Sequence, residues 1–186
     1  MSALAIIGIV FLVLVILLGV FLIVSYNSFV NSRELVKNAK SQIAVQMETR
    51  WDALTSLISA TKKYSEHESK VLHDTVQQRT GVNKDSAVSE LEKDESTFTS
   101  AFNRLLAVAE NYPDLKASEV YKETMRQLGE YEENIRMARM VFNDTTTKYN
   151  RKVLVFPMSI VAAMFGFREL PYFQISEGKS SSPSWD

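Results

Sequence analysis

The sequence predicts an all-α protein in which one N-terminal transmembrane helix precedes an antiparallel, up-and-down helical bundle. Three observations predict this fold. Residues 3–24 form an uninterrupted apolar run, apolar residues beyond it recur in steps of three and four, and the 186 residues include only 6 Gly and 4 Pro. Such steps place side chains on one face of a helix, and a low content of Gly and Pro favours long helices.

The apolar run reads ALAIIGIVFLVLVILLGVFLIV and contains no charged residue. At about 1.5 Å rise per residue, a helix of this length spans roughly 33 Å, close to the hydrocarbon thickness of a bilayer. A cleaved signal peptide is the alternative, but it would have a basic residue before the run and a shorter apolar core. The chain has no cysteine, which excludes a lipoprotein. We therefore expect residues 1–25 to be an anchor whose residues 3–24 contact the lipid bilayer.

Basic residues follow the apolar run but do not precede it. Arg33, Lys37 and Lys40 come soon after its end. Because Lys and Arg are enriched on the cytoplasmic side of a span, we expect the rest of the chain in the cytoplasm. Only Met1 and Ser2 precede the run, which argues against sensing on the far side by this chain alone.

Three long helical segments are predicted after the anchor. The first ends near Gly81, which can adopt the left-handed conformation that terminates helices. The second begins at a cap formed by Asp85 or Ser86 and stops at Pro113. The third begins near Ser118. Short connections between these segments predict that consecutive helices run antiparallel.

The first segment is much longer than the second. An unbroken helix over residues 27–80 would be about 80 Å long, whereas residues 86–111 form one of about 39 Å. Either the first helix breaks near Tyr64 to Glu68, which gives four helices, or its membrane-proximal half meets a partner. We favour the break.

The C-terminal part contains aromatic residues outside the long helices. Pro157 ends the third segment and opens a short helix over residues 158–164. The aromatic residues that follow are expected to cap the end of the bundle, with docking on a partner or on the membrane interface as the alternative. The polar residues 177–186 are expected to be disordered, which leaves residues 26–176 as the bundle domain. The aromatic residues are Phe165, Phe167, Tyr172 and Phe173.

Five polar residues interrupt the apolar stripes. A buried charge costs several kcal/mol unless it is paired, so opposite charges on different stripes predict ion pairs between helices, such as Arg50 with Glu95 or Glu132. We expect a buried polar layer that fixes the helix register, as polar positions do in coiled coils. A polar pocket for a ligand or partner and a solvated set are the alternatives. The five residues are Gln46, Arg50, Glu95, Glu132 and Arg139.

No set of residues typical of catalysis or cofactor binding occurs. His67 and Glu68 lack the second His four positions on that a zinc-protease helix needs, and His73 lies about 120° away from that face. No nucleophile elbow, phosphate-binding loop or dinucleotide motif is present. The net charge of −1 gives no electrostatic reason to bind nucleic acid. We therefore predict a protein that is not an enzyme and has no cofactor, metal site or nucleic-acid partner.

Several short motifs also occur one after another along the chain. They include Tyr26-Asn27, Ser41-Gln42-Ile43, Arg50, Glu110-Asn111-Tyr112-Pro113, Glu133-Asn134-Ile135, Tyr149-Asn150 and Phe165-Gly166-Phe167. In this order they resemble the LemA family of bacterial membrane proteins. Departures occur, since Thr55-Ser56 replaces the family's Pro-Asn and Lys63 its Gly. The resemblance implies a single-pass protein of the bacterial inner membrane with a helical bundle, and it implies no activity.

The anchor and the helical domain together predict a membrane-tethered scaffold or adaptor. Its expected partners are other proteins that bind helix faces, including further copies of this chain. The alternative is a signalling or sensory module, in which a shift of the anchor is passed to the bundle.

Overall fold

A computed structural model of the chain describes residues 3–61, 76, 79 and 81–174. In this part of the chain the secondary structure is helical and no strand occurs. The predicted all-α class, with a long apolar helix at the N-terminus, is confirmed. The predicted break near Tyr64 to Glu68 and the tail over 177–186 lie outside the described residues. The helices are α1 (Ala3–Thr61), α2 (Val88–Asn111), α3 (Pro113–Ala117), α4 (Glu119–Leu154) and α5 (Met158–Phe165).

The start of α2 differs from the prediction. Ala87 is the N-cap, so the cap expected at Asp85 or Ser86 is wrong by one or two residues. The Ser86 hydroxyl does not cap the helix because it accepts the backbone N–H of Asn83 at 3.1 Å. The Glu90 carboxylate in the first turn accepts the N–H of Ala87 at 2.7 Å instead.

The connection between α2 and α4 is itself helical. Residues 113–117 form the single turn α3, with Pro113 at its first position. Proline suits that position because the first N–H of a helix has no acceptor within the helix. α4 then begins as predicted, since the Ser118 hydroxyl accepts the N–H of Tyr121 at 3.2 Å.

The chain divides into two compact units. The first lies within Met1–Lys37 and Asp144–Pro171, and the second lies within Asn38–Asn143 and Tyr172–Asp186. α1 and α4 contribute to both units, whereas α2 and α3 belong to the second and α5 to the first.

In the second unit, α1 and α2 run parallel. Lys40 contacts the backbone of Ser86, and ten residues further along α1, Arg50 contacts Glu95. α4 runs antiparallel to α1, because residues 41–46 face residues 134–141 while Arg50 contacts Glu132. The three-helix version of the prediction makes α1 and α2 antiparallel neighbours, so it does not allow this parallel pair. The four-helix version does allow it, because a further helix lies between them in the sequence.

The apolar stripes meet in the core of the second unit. The rings of Trp51 and Phe98 pack edge to face with centroids 5.1 Å apart, a geometry that aromatic pairs favour. Burying each large side chain contributes roughly 1.5–3 kcal/mol. The buried members of this core are Trp51, Leu54, Leu57, Ile58, Phe98, Ala101, Leu105, Ala109, Leu115, Tyr121 and Leu128.

Candidate functional site

The predicted polar layer centres on Arg50, which is fully buried in the second unit. Its guanidinium pairs with Glu95 of α2 at 3.0 Å and with Glu132 of α4 at 2.5 Å. Its flat face lies 3.7 Å from the ring centroid of Phe98. Both the carboxylates and the aromatic face stabilise the cation, which offsets the cost of removing it from water.

Glu95 joins two arginines. Its Oε2 atom contacts Arg139 of α4 at 2.6 Å as well as Arg50. Burial by itself raises the pKa of the Glu95 carboxyl, but the charges and hydrogen bonds of the two arginines outweigh it and hold that pKa below its usual value of 4.5. Glu95 therefore stays ionised at neutral pH.

The structure brings four of the five predicted residues together, but the layer is less buried than we expected. Only Arg50 is fully buried, and the Glu132 side chain keeps 50% of its surface in solvent. Glu132 lies well inside α4, and its carboxylate contacts Arg50 while half of its side chain faces water. Gln46, one helical turn before Arg50 on α1, is half-buried and lines a groove instead.

One polar contact beside this layer was missed in the sequence. The indole Nε1 of Trp51 donates a hydrogen bond of 2.8 Å to the carboxylate of Asp94. Both residues lie one position away from the predicted stripe residues, Arg50 and Glu95. The sequence offered a sign of this contact. Once Arg50 is paired with Glu95, their neighbours Trp51 and Asp94 are a donor and an acceptor brought close together.

The charge cluster is suited to structure rather than to chemistry. Two guanidinium groups face two carboxylates, so the four charges balance. The Glu95 carboxylate is occupied by arginine donors and has a lowered pKa, which is unlike a general acid poised near neutral pH. Within the described residues, no group of three or more His, Cys, Asp or Glu side chains could hold a metal ion. His67 and His73 lie outside them.

A groove runs along α1 and α4 in the second unit. It has a volume of about 410 Å³, and one wall is formed by residues 41–46 and the other by residues 134–141. Three of its apolar side chains, Val45, Met137 and Val141, are exposed. The amide of Gln46 lies among them, so the groove combines apolar surface with hydrogen-bonding groups.

The first unit contains an aromatic cluster just beyond the apolar run. The Phe29 ring stacks on Phe167 with centroids 4.8 Å apart and meets Tyr149 edge to face at 6.4 Å. Tyr26 contacts Phe165 at 5.0 Å. Two of the aromatic residues predicted to cap the bundle, Phe165 and Phe167, therefore pack against α1.

The segment after α5 is held by an asparagine on α4. Asn150 is buried, and its amide donates to the Leu170 carbonyl at 2.9 Å and accepts the Leu170 N–H at 2.8 Å. In the second unit, Asn143 makes the same pair of bonds with Phe173. Phe173 is buried there against the Arg139 guanidinium, whereas Tyr172 is exposed.

The apolar run forms the N-terminal part of α1. Its side chains from Leu4 to Leu18 are exposed wherever they are described. By length and composition, α1 includes one candidate membrane-spanning stretch near the N-terminus. No other helix in the described ranges meets the same criteria.

Comparison with known proteins identifies relatives of the chain. Magnetosome protein MamQ 1 of Paramagnetospirillum magneticum is 27% identical over 179 residues, covering 82% of this chain and 66% of the relative. Magnetosome protein MamQ of Magnetospirillum gryphiswaldense is 25% identical, with 82% and 65% covered. Protein LemA of Metamycoplasma hominis is 27% identical over 156 residues, with 81% and 69% covered. The match thus spans slightly less than two thirds of the magnetosome relatives.

The sequence profile of the LemA family matches residues 39–185. This range contains the charge cluster, the groove and the two asparagine contacts. The match covers well over half of the chain and agrees with the family resemblance seen in the sequence motifs. The chain belongs to the LemA family.

Proposed function

We propose that this protein is a membrane-anchored scaffold or adaptor without enzymatic activity. Residues 3–24 cross the bacterial inner membrane, and the helices that follow present binding faces to other proteins in the cytoplasm. One observation carries the proposal: the apolar side chains of the run are exposed, whereas further along α1 the apolar side chains of one face are buried, from Ile43 to Ile58. Exposed apolar surface of this extent is stable in lipid and unfavourable in water.

The chemistry of the charge cluster supports a role without catalysis. Arg50, the only fully buried cation of the cluster, is paired with the carboxylates of Glu95 and Glu132. An ion-pair network of this kind specifies how helices pack. The matched relatives are consistent with this, because their names give a family or the magnetosome and specify no reaction.

The groove between α1 and α4 is the proposed surface for a protein partner. Its exposed Val45, Met137 and Val141 offer apolar contact, and Gln42 and Gln46 offer hydrogen bonds along its edge. An amphipathic helix laid into such a groove would bury both kinds of group.

Membrane fractionation tests the anchor. Full-length protein expressed in bacteria should remain in the membrane pellet after extraction with alkaline carbonate, and a variant lacking residues 3–24 should be released. A reporter fused after residue 186 should be active only if it works in the cytoplasm. Full-length protein in the soluble fraction would contradict the proposal.

Site-specific photo-crosslinking tests the partner surface. A photoreactive amino acid at Met137 should yield a discrete crosslinked species in cells, and Val45→Glu in the same chain should abolish it. Val120 provides a matched control, because it is exposed on α4 but lies about 26 Å along the helix from Met137. Identical products from positions 137 and 120 would contradict a specific partner at the groove.

A signalling module is the second candidate, and the continuity of α1 favours it. α1 extends from Ala3 to Thr61 without interruption, so a rotation of the anchor would be passed directly to Arg50. Inserting one alanine after Val24 rotates the anchor by about 100° relative to the rest of the helix. In a signalling module, this insertion should change the crosslink formed at position 137. In a scaffold, the same crosslink should persist.

A further inference from the structure

Besides residues 3–24, the first unit exposes a second apolar surface. It consists of α5 and the turn that precedes it. Phe156 in the turn is 76% exposed, and Met164 near the end of α5 is 62% exposed. Seven of the eight residues of α5 are apolar, but only Val161 and Ala162 are buried. An apolar patch of this kind marks an interaction surface.

Both ends of α5 lie beside the part of α1 where the apolar run ends. At its C-terminal end, the Phe165 ring contacts Tyr26, which is two residues beyond Val24. Before its N-terminal end, the Lys152 ammonium contacts the Ser28 hydroxyl at 2.9 Å, and α4 ends about 3 Å further along, just before the turn. If residues 3–24 span the bilayer, α5 is therefore placed at the boundary between lipid tails and headgroups.

The charge around this surface is positive. Residues 26–37 and 144–171 contain six Lys and Arg and three Asp and Glu. Arg151 and Arg168, on either side of α5 in the sequence, are both exposed. Basic side chains next to apolar surface favour contact with anionic lipids.

We propose that α5 and the turn over residues 155–157 insert into the interfacial layer of an anionic bilayer and form a second membrane contact beside the anchor. This inference rests on the proposed anchoring by residues 3–24. α5 is about 12 Å long, which is too short to span the hydrocarbon core. Tyr26 is of a type enriched at membrane interfaces, and Phe156 and Phe165 are of a type that interfacial helices bury in the lipid. The contact fixes the orientation of the first unit on the membrane.

Fluorescent labels test this directly, because the chain has no cysteine. Single substitutions Ile160→Cys and Met164→Cys place a nitrobenzoxadiazole label on exposed α5 positions. Leu35→Cys is the matched control, because Leu35 is also exposed in the first unit but lies about 16 Å beyond Val24 along α1. Val15→Cys reports on the anchor. Full-length variants are reconstituted in vesicles of phosphatidylcholine and phosphatidylglycerol, and circular dichroism verifies their helix content.

We expect the labels at positions 160 and 164 to emit at shorter wavelength than the label at 35. Lipids brominated near the headgroup should quench them, whereas the label at 15 should be quenched by deeply brominated lipids. If 15 is quenched but 160 and 164 behave like 35, the anchor stands and this inference is wrong. Blue-shifted emission at 160 and 164 without quenching would indicate a protein contact and also overturn it. Loss of quenching at 15 would overturn the anchor and this inference together.

Discussion

The indole of Trp51 donates a 2.8 Å hydrogen bond to Asp94, and neither side chain is exposed to solvent. The residues next to them, Arg50 and Glu95, form an ion pair at 3.0 Å. Two adjacent residues of α1 therefore contact two adjacent residues of α2. Sliding either helix by one turn would separate both pairs and leave charged groups buried without these partners, so the double contact specifies the register of the two helices.

Replacing Arg50 by leucine should destabilise the second unit strongly. The variant loses the cation that Glu95 and Glu132 share, and a partly buried carboxylate loses one of its two donors. Removing one partner of a buried ion pair typically costs about 3–5 kcal/mol. Thermal and urea unfolding of the full-length protein in detergent, followed by circular dichroism, would measure the loss.

Arg136→Leu is the control for this experiment. Arg136 pairs with Glu133 at 2.5 Å, but both side chains are more than half exposed, so its removal should barely change the unfolding curve. Arg50→Lys should lie between the two, because an ammonium cannot contact two carboxylates in the fork geometry of a guanidinium. Equal curves for Arg50→Leu and the native protein would contradict the buried pairing.

A double-mutant cycle should detect coupling between Trp51 and Asp94. Trp51→Phe removes the indole donor and keeps an aromatic ring, and Asp94→Ala removes the acceptor. Hydrogen bonds to charged groups contribute about 1.5–3 kcal/mol, so the double variant should be less destabilised than the sum of the single variants by about that amount. Additive losses in the free energy of unfolding would show that the hydrogen bond has no net effect.

The stability contributed by Glu95 should disappear in acid. Its pKa is lower in the folded protein than the usual value of 4.5, so ionisation favours folding at every pH above that value. The contribution is lost as the pH falls through the folded pKa. The difference in unfolding free energy between native protein and Glu95→Gln should thus be constant near neutral pH and shrink below about pH 4.5. A difference that grows in acid would contradict the lowered pKa.

Asn150→Asp should release the segment after α5. The substitution keeps the shape of the side chain but places a carboxylate oxygen against the Leu170 carbonyl. In the native protein this carbonyl accepts a hydrogen bond of 2.9 Å from the Asn150 amide. Loss of a buried hydrogen bond costs about 1–3 kcal/mol, so the Leu170 amide should exchange with deuterium roughly 5- to 150-fold faster. Asn111→Asp changes an exposed amide and should leave that exchange rate unchanged.

Much of the ion-pair cluster was predictable from the spacing of apolar and charged residues along the sequence. Arg50, Glu95, Glu132 and Arg139 each occupy a stripe position, and a buried charge requires a partner. Gln46 occupies such a position too, but it has no charge that would draw it into the cluster, and it lines the groove. Trp51 and Asp94 lie one residue off the stripes, yet both are fully buried. The spacing of three and four did not mark them, because the faces that α1 and α2 bury are wider than a single stripe.

The sequence by itself determined the helical class, the apolar stretch that is long enough to span a bilayer and the faces that are buried. These properties follow from residue type and local spacing along a single helix. Only the tertiary structure decided that α1 and α2 run parallel, that Asn150 holds Leu170 and that Phe165 and Phe167 pack beside Tyr26 and Phe29. Such relationships depend on which buried faces meet and in which direction, and packing between distant segments sets both.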